Sequence, residues 1–123
     1  MKTVLIVEDS EACAETLQIA LESMPGLETM VVQSPGAALA AVRNKNDSIA
    51  AVVTDLHMPL YDGFELIRQL RAEVRYARLP VLLISGDSNP QLPQLALSKG
   101  ANAFFSKPYS PAAVRRKLEE LLC

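Results

Sequence analysis

Three acidic side chains, a hydroxyl and a lysine stand where apolar runs of this sequence end. Glu8-Asp9 follow Thr3–Val7, Asp55 follows Ile49–Thr54, Ser85 closes Pro80–Ser85, and Lys107-Pro108 come just after Asn102–Phe105. If these runs are strands of one parallel sheet, the five groups share a small crevice. Two like charges ~4 Å apart repel by roughly 4 kcal/mol at an effective dielectric of 20. Such a site must bind a cation or lift a pKa. The hard divalent cation that accepts a few carboxylates and keeps water is Mg²⁺. With it bound the crevice is near neutral, and a phosphoryl group can be attracted. Acids also gather at helix N-termini because the macrodipole favours them. That accounts for Glu8-Asp9 alone. It leaves Asp55, Ser85 and Lys107 at three other strand ends unexplained, so intersecting roles favour a functional site.

The elements that must position these residues are legible as a change of period. The runs Thr3–Val7, Thr29–Gln33, Ile49–Thr54, Pro80–Ser85 and Asn102–Phe105 are mostly continuously apolar, as in strands buried on both faces of a parallel sheet. Helical patterns lie between them. Cys13, Leu17, Ala20, Leu21 and Met24 share one face, opposite Glu11, Glu15, Gln18 and Glu22, and Pro25-Gly26 ends that helix. Ser34-Pro35, Asn89-Pro90 and Ser110-Pro111 each read as an N-cap followed by proline in the first turn. Asp62-Gly63-Phe64-Glu65 has capping-box spacing, and Gly100 reads as the residue after the fourth helix. Val114, Leu118, Leu121 and Leu122 form the apolar face of the last helix. The order is βα five times. Right-handed crossovers then place helices on both faces of a parallel sheet, with ligands at the strands' carboxyl ends.

Composition is consistent with one soluble domain. The chain has 123 residues, 50% of them hydrophobic and 21% charged, with a formal net charge of −2. The apolar content excludes disorder, and the charge argues against nucleic-acid binding by bulk positive potential. No apolar run approaches the ~20 residues of a membrane span. Thr3–Val7 is cut off by Glu8-Asp9, so it is not a signal peptide. Cys13 and Cys123 have neither disulfide-framework nor metal spacing, which fits a reducing, cytoplasmic setting.

Taken together, Glu8-Asp9, the segment Asp55-Leu56-His57-Met58-Pro59-Leu60-Tyr61-Asp62-Gly63, Ser85-Gly86 and Lys107-Pro108 resemble the receiver domain of two-component response regulators. The resemblance covers essentially the whole chain, residues 1–123, as a single receiver domain. It implies an α/β fold: a doubly wound (βα)5 sandwich with a five-stranded parallel sheet in order 2-1-3-4-5, flavodoxin-like. It implies that Asp55 is the phosphoacceptor, taking its phosphoryl group from a sensor histidine kinase or phosphotransfer protein. Asp9 and Asp55 would ligate Mg²⁺, with Glu8 direct or through water and the His57 backbone carbonyl as a further ligand. Lys107 would pair with the acyl phosphate, or with Asp55 before phosphorylation, and Ser85 would bond a phosphoryl oxygen. Phe104 looks like the switch aromatic, turning inward as the Ser85 loop is drawn to the phosphate and altering the α4-β5-α5 surface for a downstream effector or output domain. Such a protein is a switch that assists its own phosphorylation and dephosphorylation, not an enzyme. Neither direct nucleic-acid binding nor a membrane is implied. Glu8, Ser85 and Phe104 stand where the commonest pattern has Asp, Thr and Tyr. The resemblance also suggests that His57 and Asp87, at the pocket rim, tune phosphoryl lifetime.

Other features have two readings. Arg68, Arg71, Arg75 and Arg78 would form one basic stripe if the third helix runs that far, either a docking face for an acidic partner or, more commonly, a solvated face. The fourth helix has no charge from Ser88 to Ser98 but carries Leu92, Leu95 and Leu97, with Pro90 and Pro93 both in its first turn. That suits a partner surface or a loosely packed helix equally. Cys13 reads as a buried small hydrophobe and Cys123 as a mobile chain end. A Mg²⁺-dependent aspartyl phosphatase is disfavoured because His57 stands where Asp-x-Asp would need its second acid, and no cap domain is present. A flavin or nucleotide carrier is disfavoured because Glu8-Asp9-Ser10-Glu11 would repel a phosphate. The chain stops after five βα units, so the expectation is a free-standing receiver or the N-terminal part of a longer regulator.

Overall fold

Apolar residues on both faces of the central runs force a sheet with helices on each side. The computed structural model describes residues 2–45, 49–58 and 61–122. Five parallel strands, β1 (Lys2–Val7), β2 (Leu27–Val32), β3 (Ile49–Asp55), β4 (Val81–Ser85) and β5 (Ala103–Ser106), form one sheet in the order β2-β1-β3-β4-β5. This is the expected 2-1-3-4-5 order. Five helices follow them: α1 (Glu11–Glu22), α2 (Pro35–Lys45), α3 (Gly63–Ala72), α4 (Leu92–Ser98) and α5 (Pro111–Leu122).

Strand alternation divides the core in two. Val4 and Ile6 of β1, with Val53, Leu82 and Ile84, pack against Leu17 and Leu21 of α1 and Val114 and Leu118 of α5. Leu5 and Val7, with Val52 and Leu83, pack against Val42 of α2, Leu66, Ile67 and Leu70 of α3, and Leu92 and Ala96 of α4. So α1 and α5 cover one face, and α2, α3 and α4 the other. Adjacent aromatics of β5 part company: Phe104 packs on the α3–α4 side and Phe105 on the α1–α5 side.

Most helix signals hold. Ser34 Oγ accepts from the Ala37 N–H, Asp62 Oδ1 from the Glu65 N–H, and Ser110 Oγ from the Ala113 N–H. Glu65 turns forward to Arg68 and Gln69, so only the Asp62 half of the capping box is seen. Gly100, at φ 109°, closes α4 as expected: its N–H bonds Leu97 O, and the Ala101 N–H bonds Ala96 O.

Three expectations are corrected and one element is added. The fourth helix begins at Leu92 with Gln91 as its cap, so only Pro93 lies in its first turn and Pro90 falls in the preceding turn. Asn89 instead accepts from the Gln91 N–H, an Asx turn that resembles an N-cap in sequence. The arginine stripe does not exist as one face. The third helix stops at Ala72, Arg75 lies in a 3-10 turn (Val74–Tyr76), and Arg71 turns inward to backbone carbonyls. Cys13 is half-buried at a groove rather than buried in the core. Finally, His57–Met58 and Tyr61–Asp62 pair as a small antiparallel hairpin that the sequence reading did not anticipate. Cys123 lies outside the described residues, as do Pro59 and Leu60 of the Asp55–Gly63 segment.

Candidate functional site

Strand register delivers one site residue to each of four strand ends. Val7 pairs with Thr54, Asp55 with Ile84, and Ser85 with Ser106, so Glu8, Asp55, Ser85 and Lys107 all emerge at the sheet's carboxyl edge. Backbone bonds lock the ends together. Glu8 N–H bonds Val32 O at 3.0 Å, Leu56 N–H bonds Ile84 O at 2.7 Å, and Lys107 N–H bonds Ser85 O at 2.8 Å. The Lys107–Pro108 peptide is cis.

Lys107 is the shared cation of the site. Its Nζ donates to Asp55 Oδ2 at 2.9 Å and to Glu8 Oε1 at 3.4 Å. Burial alone would lower the Lys107 pKa, but hydrogen bonds to Asp55 and Glu8 and their charges raise it. Asp55 is 8% exposed. Its Oδ1 accepts from the His57 N–H at 3.3 Å, and its carbonyl accepts from the buried Thr54 hydroxyl at 3.0 Å. Carboxylate oxygens of Glu8, Asp9 and Asp55 lie within 4.8 Å of one another, with Asp9 exposed and the other two buried. The Glu8 Oε2 atom is buried with no hydrogen-bond partner. Ser85 is fully buried, and its Oγ accepts from the Asp87 N–H at 3.0 Å. At the rim, His57 Nε2 and Asp87 Oδ2 face each other across 3.4 Å.

All the residues expected at the site are therefore on one edge, while Phe104 lies two residues down β5, half-buried against the α3–α4 core. Two neighbours were missed. Thr54 reads as just another β-branched strand residue, so no signal marks its bond to the Asp55 carbonyl. Tyr109 lines both a small void beside Glu8 and Asp55 and an open groove beside Lys107, sharing each with Cys13. Burial pushes its phenol pKa up.

Burial, then the adjoining Asp55 carboxyl, lift Glu8 from 4.5 to about 7 against the pull of Lys107. The folded chain therefore holds this proton where the unfolded chain has released it. Stability that is full below pH 4.5 is lost as the pH rises through about 7. In metal-free buffer, urea unfolding should show stability falling over that window, and Glu8→Gln should flatten the fall. An unchanged slope in Glu8→Gln would show that another group carries it.

A family model for the response regulator receiver domain matches residues 4–119. The chain belongs to the response regulator receiver domain family. Over 118 residues the receiver is 27% identical to a chemotaxis protein CheY homolog of Campylobacter jejuni, covering 96% of this chain and 90% of that protein. Its fold matches the chemotaxis response regulator CheY4 of Vibrio cholerae with a TM-score of 0.84 at 25% identity, over 99% of each chain. It also matches the receiver domain of a signal transduction histidine kinase from Syntrophus aciditrophicus, with a TM-score of 0.84 at 30% identity, over 99% of this chain and 90% of that one. Receivers are phosphorylation-activated signalling switches of two-component systems rather than enzymes in the usual sense, and they work with histidine kinases and output domains. No helix among the described residues is long and apolar enough to cross a membrane.

Proposed function

We propose that this chain is a single receiver unit in which Asp55 accepts a phosphoryl group from a histidine kinase or phosphotransfer protein. The observation that carries this reading is the Lys107 ammonium 2.9 Å from Asp55 Oδ2, beside a cluster of three carboxylates. Among the acids of the cluster, Asp55 combines burial, the shorter lysine contact and a backbone donor on its other oxygen.

The donor set fits a divalent cation. Three carboxylates converge, and the unpartnered Glu8 Oε2 is a buried acceptor that a cation would satisfy. Glu8, Asp9 and Asp55 would hold Mg²⁺ with the His57 carbonyl, Glu8 directly or through water. When bound, the ion supplies positive charge against the phosphoryl oxygens. Glu8 must first lose the proton it holds up to about pH 7, so Mg²⁺ affinity rises through that pH.

The chain's own residues do the rest. Asp55 Oδ attacks the phosphorus of a phosphohistidine, the P–N bond breaks, and an acyl phosphate forms. Phosphoryl transfer asks the protein mainly for position and charge neutralisation. Lys107 follows the negative charge from the carboxylate to the new phosphoryl oxygens. Ser85, tied to Lys107 by a backbone bond, turns its hydroxyl toward one of them, and the space it leaves admits Phe104. A local charge event is thereby read out by packing at α4, β5 and α5. His57 and Asp87 border the path by which water reaches the phosphorus and so set phosphoryl lifetime.

Acetyl phosphate replaces the kinase in the test. With millimolar Mg²⁺, the range expected for a water-retaining hard cation, intact mass should rise by one phosphoryl group, and peptide sequencing should place it on Asp55. With chelator the mass should not change. A phosphoryl group on Glu8 or Asp9, or one acquired without Mg²⁺, would overturn the assignment.

A further inference from the structure

Cys13 stands between two spaces. One is an open groove of about 370 Å³ that it shares with Lys107 and Tyr109, and this gives the half-buried thiol a route to solvent. The other is a void of about 10 Å³ that it shares with Glu8, Asp55 and Tyr109. Leu17, Val53 and Ile84 close that void on the core side. It has room for about one oxygen-sized atom and no more.

The void also has an unmet acceptor. Glu8 lines it, the Glu8 side chain is 9% exposed, and its Oε2 atom is buried without a hydrogen-bond partner. A buried oxygen left in this way is costly, so the void favours a single small group that carries a donor hydrogen. Cys13 is placed to supply one. It lies in the first turn of α1, where its N–H donates to the Ser10 cap, and it shares the groove with the Lys107 ammonium. Reactive cysteines occupy such partly exposed positions near a helix N-terminus or a cation.

We propose that Cys13 is an oxidation site, and that the hydroxyl of its sulfenic acid enters the void and donates to Glu8 Oε2. The oxidant is a peroxide arriving through the groove. The Cys13 sulfur attacks one peroxide oxygen, and an S–O bond forms as the O–O bond breaks. The second oxygen leaves with the thiol's proton, as water when the oxidant is hydrogen peroxide. Sulfur is oxidised by the electron pair it gives up, and the peroxide is reduced by the same pair. The void admits one added oxygen but not two, so the reaction halts before sulfinic acid and stays reversible by thiols. A consequence for the neighbouring site rests on Glu8 serving the Mg²⁺ cluster. With Oε2 holding the sulfenic hydroxyl, that cluster offers the cation one carboxylate oxygen fewer.

Cys123→Ser leaves Cys13 as the one thiol of the chain. Treated with hydrogen peroxide in chelator, this folded protein should gain one oxygen, dimedone should trap it on Cys13, and a thiol reductant should remove it. Onward conversion to sulfinic acid should be roughly tenfold faster once the acceptor is removed by Glu8→Leu, as loss of a hydrogen bond to a charged group allows. The urea-unfolded chain, which has no void, should convert as fast. In the ¹⁵N-labelled chain, oxidation should shift the amides of Glu8 and Tyr109 and leave those of α4, across the sheet, in place. No dimedone adduct, a disulfide-linked dimer as the sole product, or two oxygens gained as fast as in urea would overturn the site. Equal conversion with and without Glu8, or an unmoved Glu8 amide, would overturn the hydrogen bond. Mg²⁺ titration followed at residues 8–10 and 55–58 should need roughly tenfold more cation after oxidation. An unchanged midpoint would overturn the coupling to the cluster. No response to Mg²⁺ in the reduced chain would instead overturn the metal reading, with the oxidation site decided by the mass and amide results.

Discussion

Asp55→Asn should fold normally and take up no phosphoryl group from acetyl phosphate, with or without Mg²⁺. Asparagine has the same shape, but its single amide oxygen can keep only one of the two bonds, that from the His57 N–H or that from Lys107, because these reach different oxygens of Asp55. What it lacks is any anionic oxygen able to attack phosphorus. The neighbouring acids should not substitute. Glu8 is 7% exposed and keeps its proton up to about pH 7, which removes the attacking lone pair's charge. Asp9 is exposed and makes no contact with Lys107 among the described residues. The same variant has a second signature. The Asp55 carboxyl is the second cause of the raised Glu8 pKa, so its loss should bring Glu8 down and weaken the stability loss between pH 4.5 and 7. Intact mass and urea unfolding check the two effects, and a phosphorylated Asp55→Asn chain would show that another acid is the nucleophile.

Gly63→Ala should be the most destabilising single-methyl addition near the site. A Cβ at Gly63 would lie 2.8 Å from Asp55 O, 2.9 Å from Leu83 Cδ1 and 3.1 Å from Leu56 Cα. None of these can yield easily. Asp55 O already holds the Thr54 hydroxyl, Leu83 is fully buried in the core, and Gly63 N–H is itself bonded to Leu56 O at 2.7 Å. Overpacking of this kind costs about 1–3 kcal/mol, and the top of that range applies here because two of the three contacts are backbone. A loss of about 3 kcal/mol would lower the midpoint of a domain this size by roughly 10 °C. Thermal unfolding decides it. A change within about 0.5 kcal/mol, the spread of ordinary surface substitutions, would mean that the start of α3 can shift away from Asp55.

The site was legible because its residues sit at the ends of apolar runs, and a parallel sheet in register turns run ends into one edge. Ser34 and Ser110 were legible as caps for a similar reason: the signal and its partner lie three residues apart, within reach of local pattern. Asn89 misled because Asn-Pro serves an Asx turn as well as a cap, and only packing of Leu92 and Ala96 against the sheet decides where α4 begins. Arg71 was illegible for a different reason. Its partners come from two later segments, Tyr76 in the 3-10 turn and Gly100 and Asn102 in the connection from α4 to β5, and nothing in the spacing of Arg68, Arg71, Arg75 and Arg78 says which one turns inward. The hairpin of His57–Met58 with Tyr61–Asp62 is too short to show any period.

The two lysine contacts of the site join residues 99 and 52 positions apart. The four site residues that meet there, Glu8, Asp55, Ser85 and Lys107, are each separated by more than 20 residues in the chain. During synthesis, therefore, the acids of the first and third strands exist for most of the chain's emergence without their cation, which arrives only with the last strand. Until that strand docks, the acids of the first and third strands lack the ammonium that neutralises them in the folded chain. Competence for phosphorylation is in this sense a certificate of complete folding, issued only when the last strand has docked beside the fourth.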